Sequence, residues 1–179
     1  MKTGHFPTSP SIQPCGAATP FVNRINEIIE RIQLFEDFEP AEITTLASYM
    51  TCYNAPMGIE VIREGEVGDF MLLVLDGTLE VVKNDSQGLP SRIGTAGPGK
   101  TLGEMSVIDG QPRFGSCVTL TDVQFAVLDR EELTRLIAEE PKIGIKLLME
   151  FLMSLNQRLR QVSGQLMQCI EQRERRIGR

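Results

Sequence analysis

The stretch with the most chemical content is Pro98–Ser116, where glycines punctuate a run of small, acidic and basic residues. Gly103-Glu104-Met105-Ser106 reads as the start of a one-turn helix, and Pro112-Arg113-Phe114-Gly115-Ser116 as a following turn with a lone arginine. The N–H groups at a helix start lack intrahelical partners and attract an anion. Arg113 can close on the same anion with a two-pronged hydrogen bond. Glu104 would repel a phosphate, so its more sensible task is to accept hydrogen bonds from sugar hydroxyls. Together these residues suit a small phosphate with an attached ribose. They also suit an ordinary loop in which Arg113 pairs with Glu104, and the loop alone leaves both readings open.

Other chemistry has little material. The chain has one His and no Trp, so a His-based triad or zinc site would have to use His5. The four cysteines, Cys15, Cys52, Cys117 and Cys169, show no CxxC pairing. They read as reduced thiols of a cytoplasmic protein, with no metal site and no cofactor expected. His5 and Cys15 are the only ring and thiol that a redox or haem sensor could draw on near the N-terminus. Glu104 and Asp109 read as a helix-start carboxylate and a turn former rather than a catalytic pair, so no enzymatic activity is expected.

Specific elements must position the loop. Residues 1–20 hold four of the ten prolines and predict a flexible tail. In 21–50, Ile25, Ile28, Ile29 and Ile32 form one helical stripe, and Phe35 and Phe38 follow in an acidic connection. Pro40 then opens a second helix with Ile43, Leu46 and Met50 inward. From Gly58 to Arg130, short apolar runs alternate with Gly, Asp and Pro. Strands are predicted at Ile59–Arg63, Phe70–Leu75, Thr78–Val82, Arg92–Thr95, Cys117–Thr121 and Val123–Asp129. Asp76-Gly77 is a two-residue hairpin signal. This spacing predicts a mostly β fold with flanking helices, an antiparallel jelly-roll barrel.

A short helix at 131–139 precedes a long one at 142–175, roughly 50 Å at ~1.5 Å per residue. Ile145, Leu148, Leu152, Leu155, Leu159, Val162, Leu166 and Cys169 follow one another at alternating steps of three and four. That is an a/d heptad seam, and it predicts self-association. Leu147, Met149, Phe151 and Met153 add apolar faces near its start, suited to packing on the barrel. The expected organisation is a tail over 1–20, a barrel domain with N-terminal helices over 21–139, and a dimerisation helix over 140–179.

The 179 residues are 41% hydrophobic and 23% charged, which excludes global disorder. Net charge is −6, but residues 157–179 hold six Arg against two Glu, leaving −10 on the rest. An acidic body weighs against a nucleic-acid binder. No apolar stretch is long enough to span a bilayer, and no signal-peptide core follows Met1.

The wider pattern resembles the cyclic nucleotide-binding domain family, which includes catabolite activator-like regulators and regulatory subunits of cyclic nucleotide-dependent kinases. It runs from Gly58 and Ile62 through Gly65-Glu66, Gly68-Asp69, Leu75-Asp76-Gly77, Leu79 and Val81 to Pro98-Gly99, Gly103-Glu104-Met105-Ser106 and Pro112-Arg113. The resemblance spans about Phe35 to Arg160. It implies that Gly103, Glu104, Met105 and Ser106 begin the phosphate-binding cassette, that Glu104 receives the ribose 2′-hydroxyl, and that Arg113 pairs with the cyclic phosphate. Gly115 and Ser116 would contribute backbone or hydroxyl donors. Phe114 departs from the small residue usual there: its benzyl group either points into the barrel, leaving its N–H free, or fills the pocket. For the base, Ser163 and Ser154 are the candidate hydroxyls on the long helix, where Gln157-Arg158-Leu159-Arg160 also looks like the family.

The resemblance implies a non-enzymatic sensor that binds cAMP or cGMP and signals through a dimer helix to an unidentified partner protein. The alternative keeps the fold without the ligand, as an assembly module; a redox or haem sensor of the same superfamily stands behind it. No membrane contact is expected. Activator-like members continue into a helix-turn-helix domain, and with the chain ending at Arg179 direct DNA binding is not expected.

Overall fold

The computed structural model describes residues 11–23 and 38–177. The stripe Ile25, Ile28, Ile29 and Ile32, with Phe35 and His5, lies outside them. Strands β1 (Gln13–Ala17), β2 (Thr51–Ala55), β3 (Glu60–Ile62), β4 (Phe70–Asp76), β5 (Leu79–Asn84), β6 (Pro90–Ala96), β7 (Thr101–Leu102), β8 (Ser116–Thr119) and β9 (Val123–Asp129) build the body. Helices α1 (Pro40–Ser48), α2 (Glu104–Asp109), α3 (Arg130–Glu139) and α4 (Pro141–Ile177) complete it.

The strands form a five-stranded sheet, in the order β1-β2-β9-β4-β7, and a four-stranded sheet, β3-β8-β5-β6, with antiparallel pairing throughout. The fold is mostly β with flanking helices and a long C-terminal helix, as expected. The roll consists of two open sheets rather than a closed barrel.

Strand β4 shows why its sequence is a continuous apolar run. Phe70, Leu72 and Val74 join Val123, Phe125 and Val127 of β9 in one buried cluster with Val61, Leu79 and Cys117. Met71, Leu73 and Leu75 join Ala126 and Leu128 on the opposite face, in a second cluster with Ile43 and Leu46 of α1, Leu133 and Leu136 of α3, and Ile143, Leu147 and Phe151 of α4. A strand covered on both faces has no polar side to show. The α1 start is fixed by Pro40 at its first position and by reciprocal bonds between Glu39 and Glu42.

Three features differ from the sequence reading. Within the 1–20 stretch expected as a tail, residues 11–20 are not loose: β1 pairs with β2, and the Ala18 N–H donates to the Met50 carbonyl at 3.0 Å. Pro14 and Gly16 masked this strand, yet β1 is an edge strand with a bulge, where both are tolerated. Second, Asp76-Gly77 does not close a hairpin, because β4 and β5 belong to different sheets. The turn carries the chain between sheets, with Gly77 at φ +81° and the Asp122 carbonyl 2.2 Å from where a Cβ would sit. Third, β2 and β7 were not predicted; β2 is too polar to show an apolar run, and β7 is only two residues long.

Helix α4 divides its faces. Ile143, Leu147 and Phe151 are buried against the body. Gly144 permits that approach, since a Cβ there would lie 3.0 Å from the Ile137 Cα. The expected seam faces outward: Ile145, Leu148, Leu152, Leu159, Val162, Leu166 and Cys169 are exposed, and Leu155 is half-buried. Met149 and Met153 are exposed as well. Among the described residues, no helix is long and apolar enough to cross a membrane.

Candidate functional site

Gly103 caps α2 at φ +84°, a left-handed conformation that turns β7 directly into the helix. The turn sets Glu104 inward, 1% exposed, and leaves Met105 outward. Ser106 is buried, and its carbonyl accepts from the Gly110 N–H at 3.0 Å and from Arg130 Nη2 at 2.6 Å. Gly110, also left-handed, ends the helix.

Arg113 is held from both ends. Its N–H donates to the Glu66 carbonyl and its own carbonyl accepts from the Gly65 N–H, both at 2.9 Å. Its guanidinium lies 4.2 Å from the Phe70 ring centre, and Nη1 donates to the Gly103 carbonyl at 2.9 Å. Gly68 and Gly103 make the space: a Cβ on either would fall 2.5 Å or 2.6 Å from the guanidinium nitrogens. Arg113 is only 4% exposed, and Nη2 has no hydrogen-bond partner among the described residues. Burial pulls its pKa below the usual arginine value, yet a guanidinium stays charged.

Arg113 does not pair with Glu104. The partner of Glu104 is Arg158 of α4, whose Nη1 binds Oε1 and whose Nη2 donates to the Thr101 carbonyl at 2.8 Å. Glu104 Oε2 is buried and has no hydrogen-bond partner among the described residues. Arg158 is the site residue that sequence reasoning missed. Its only signal was the Gln157–Arg160 stretch, read there as a mark of the helix rather than of the pocket.

The remaining expected residues take definite places. Phe114 neither enters the interior nor sits buried: it is 56% exposed, with Lys83 Nζ 4.6 Å above its ring and 2.7 Å from its carbonyl. Lys83 also pairs with Glu64 at 2.6 Å, which holds that carboxylate below its ordinary pKa. Gly115 lies so close to β5 that a Cβ would meet the Val82 carbonyl at 2.8 Å. The Ser116 hydroxyl accepts from the Glu64 N–H at 2.9 Å. Ser154 lines a small recess with Lys100, Thr101, Glu150 and Gln157, whereas Ser163 is exposed on α4 beyond Arg158.

The arrangement thus holds one buried cationic donor and one buried carboxylate acceptor, each with an unused hydrogen-bonding atom. An unsatisfied buried polar group is costly. A ligand offering both an anionic oxygen and a hydroxyl would satisfy the two at once. Among the described residues, no cluster of His, Cys, Asp and Glu could hold a metal ion.

The chain is similar to known proteins along most of its length. Residues 54–140 match the family description "Cyclic nucleotide-binding domain". The chain is 31% identical over 82% of its length to a CRP-like cAMP-activated global transcriptional regulator of Mycobacterium tuberculosis, and spans 63% of that protein. It is 30% identical over 61% of its length to a cAMP-dependent protein kinase regulatory subunit of Aspergillus niger, spanning 26% of it. Among solved structures, a cyclic nucleotide-binding domain from Methylobacillus flagellatus superposes with a TM-score of 0.79, at 41% identity over 85% of both chains. The catabolite activator protein of Thermus thermophilus superposes with a TM-score of 0.67, at 28% identity, over 75% of this chain and 62% of that one.

Proposed function

The chain belongs to the cyclic nucleotide-binding domain family, and on that premise we propose that it is a non-enzymatic cyclic nucleotide sensor. The observation that carries the reading is the pairing of two unused buried atoms, Arg113 Nη2 and Glu104 Oε2, within one cassette. The cyclic phosphate of cAMP or cGMP takes the guanidinium fork of Arg113, a charge-assisted contact. The ribose 2′-hydroxyl donates to Glu104. Gly103, Met105, Ser106, Gly115 and Ser116 shape the cassette around it, and Phe114 stands at its surface. Of the two hydroxyls on α4, Ser154 is the better placed for a base, since it borders the recess beside Thr101.

Signalling passes through α4. Glu104 touches the ligand with one oxygen and Arg158 with the other, so ligand occupancy acts on the helix position through a shared carboxylate. A ligand that prefers one helix placement shifts the population toward it. The outward seam from Ile145 to Cys169 joins a second copy of the chain, and the dimer presents its ligand-dependent shape to a partner protein in the cytoplasm. The Mycobacterium tuberculosis relative is a transcriptional regulator and the Aspergillus niger relative a kinase regulatory subunit, and a regulatory role without catalysis is proposed here.

Calorimetric titration with cAMP and with cGMP tests the reading. Saturable binding of one of them by wild type, lost in Arg113→Ala, is expected. Absence of binding in both proteins overturns the sensor and leaves the assembly module.

A further inference from the structure

We infer that Cys15 and Cys52 are a redox-switchable cross-strand pair, which a low-molecular-weight disulfide oxidises to an intrachain disulfide that fastens β1 to β2. Three observations meet here. The β1–β2 register pairs Pro14 with Tyr53 and Gly16 with Cys52, so Cys15 is the extra residue of a bulge opposite Cys52. Two residues of a bulge oppose one on the partner strand. Gly16 is the direct Cα partner of Cys52 and Cys15 precedes it in the same bulge, so closing a disulfide requires the Cys15 and Cys52 Cα atoms to settle within ~4.4–6.8 Å. Both side chains also face the helix-covered core cluster, Cys52 inside it and Cys15 packed against it. Finally, each thiol influences the other's titration, Cys52 lowering the pKa of Cys15 and Cys15 raising that of Cys52, as neighbouring sulfurs do.

Access divides the roles. Cys15 is half-buried and reachable, whereas Cys52 is fully buried. The Cys15 thiolate attacks one sulfur of the small disulfide and releases the first small thiol. Cys52 then attacks the Cys15 sulfur of the mixed disulfide and releases the second. Two protein S–H groups become one S–S bond, the reagent disulfide is reduced to two thiols, and both protons leave on them. Burial raises both protein thiols above their ordinary pKa, Cys52 to about 12, so exchange is slow. Cys117 lies in the other core cluster and Cys169 is exposed on α4, which leaves Cys15 and Cys52 as the matched pair among the described residues.

The test equilibrates the full chain for hours in mixtures of oxidised and reduced glutathione, quenches with acid, alkylates the remaining thiols and maps the peptides by mass spectrometry. A Cys15–Cys52-linked peptide is expected, two hydrogens lighter, formed equally on dilution, reversed by dithiothreitol and accompanied by slower amide exchange in β1. Cys15→Ser, which leaves buried Cys52 in place, is expected to lose the linked species. The inference is overturned if both thiols of wild type stay alkylatable under oxidised glutathione. It is equally overturned if a glutathione adduct accumulates on Cys15 without resolving to the link, or if the sole disulfide joins Cys169 residues of two chains.

Discussion

Arg158, on a helix that begins at residue 141, reaches back across the fold to bind Glu104, the first residue of the cassette helix. One guanidinium nitrogen holds the carboxylate and another holds the Thr101 carbonyl. The cassette and the long helix are therefore joined by a charge-assisted fork, and the following outcomes rest on it and on its surroundings.

Removing either partner of this pair should destabilise the fold. Arg158→Met leaves a carboxylate 1% exposed without its cation, and because Arg158 itself is 42% exposed the cost is about 1–3 kcal/mol, below that of a fully buried pair. Glu104→Gln with Arg158→Met should recover part of the loss. A double-mutant cycle by urea unfolding should return a coupling of about 1 kcal/mol or more; additive single effects would disprove the link.

Arg113 should behave oppositely in the absence of ligand. Its Nη2 is already a buried donor without a hydrogen-bond partner among the described residues, so Arg113→Met should change the stability of the free protein by no more than ~1 kcal/mol. The same variant should bind cyclic nucleotide about 100-fold or more weakly, because the phosphate loses its charged partner. Arg113→Lys keeps the charge but not the fork and should fall between. Unfolding curves with and without nucleotide separate the two effects.

The seam should yield to a single charge. Leu159 is 64% exposed in the single chain, so Leu159→Asp should leave each protomer's circular dichroism and melting of the β body intact. Sedimentation equilibrium should show dimer in wild type and a dissociation constant raised about 100-fold or more in the variant. A monomeric wild type would remove the basis for the seam.

Acid should loosen the junction of α1 and α4. Lys146, then the Glu39 N–H and Lys142, hold Glu42 down from 4.5 to about 2. A depressed carboxylate contributes stability that is fully present above its unfolded pKa and is lost as pH falls through the folded one. Denaturant midpoints should therefore decline between about pH 4.5 and pH 2, and Glu42→Gln should show a shallower decline over that window.

Local patterns carried most of the architecture. The β4 and β9 runs are visible in sequence because burial makes neighbouring residues apolar, the start of α1 because Pro40 suits a first helical position, and the α4 heptads because their steps of three and four repeat along the chain. Strands β1 and β2 were hidden because their pairing, rather than an apolar pattern of their own, makes them strands. The Asp76-Gly77 turn shows the opposite failure: its residues announce a reversal, but whether the flanking strands pair depends on which sheet each one joins.

The candidate site divides along the same line. Residue types and spacing by themselves determined that Glu104 and Arg113 share a short glycine-framed segment able to meet a hydroxyl and an anion. Only the tertiary structure decided that these two do not neutralise each other. Fifty-four positions separate Glu104 from Arg158, and no local rule brings them together. The contact exists because Ile143, Leu147 and Phe151 bury one face of α4 against the body, which lays the next turns of the helix over the cassette. That long-range packing satisfies one oxygen of Glu104, whereas the other oxygen, like Arg113 Nη2, has no hydrogen-bond partner among the described residues.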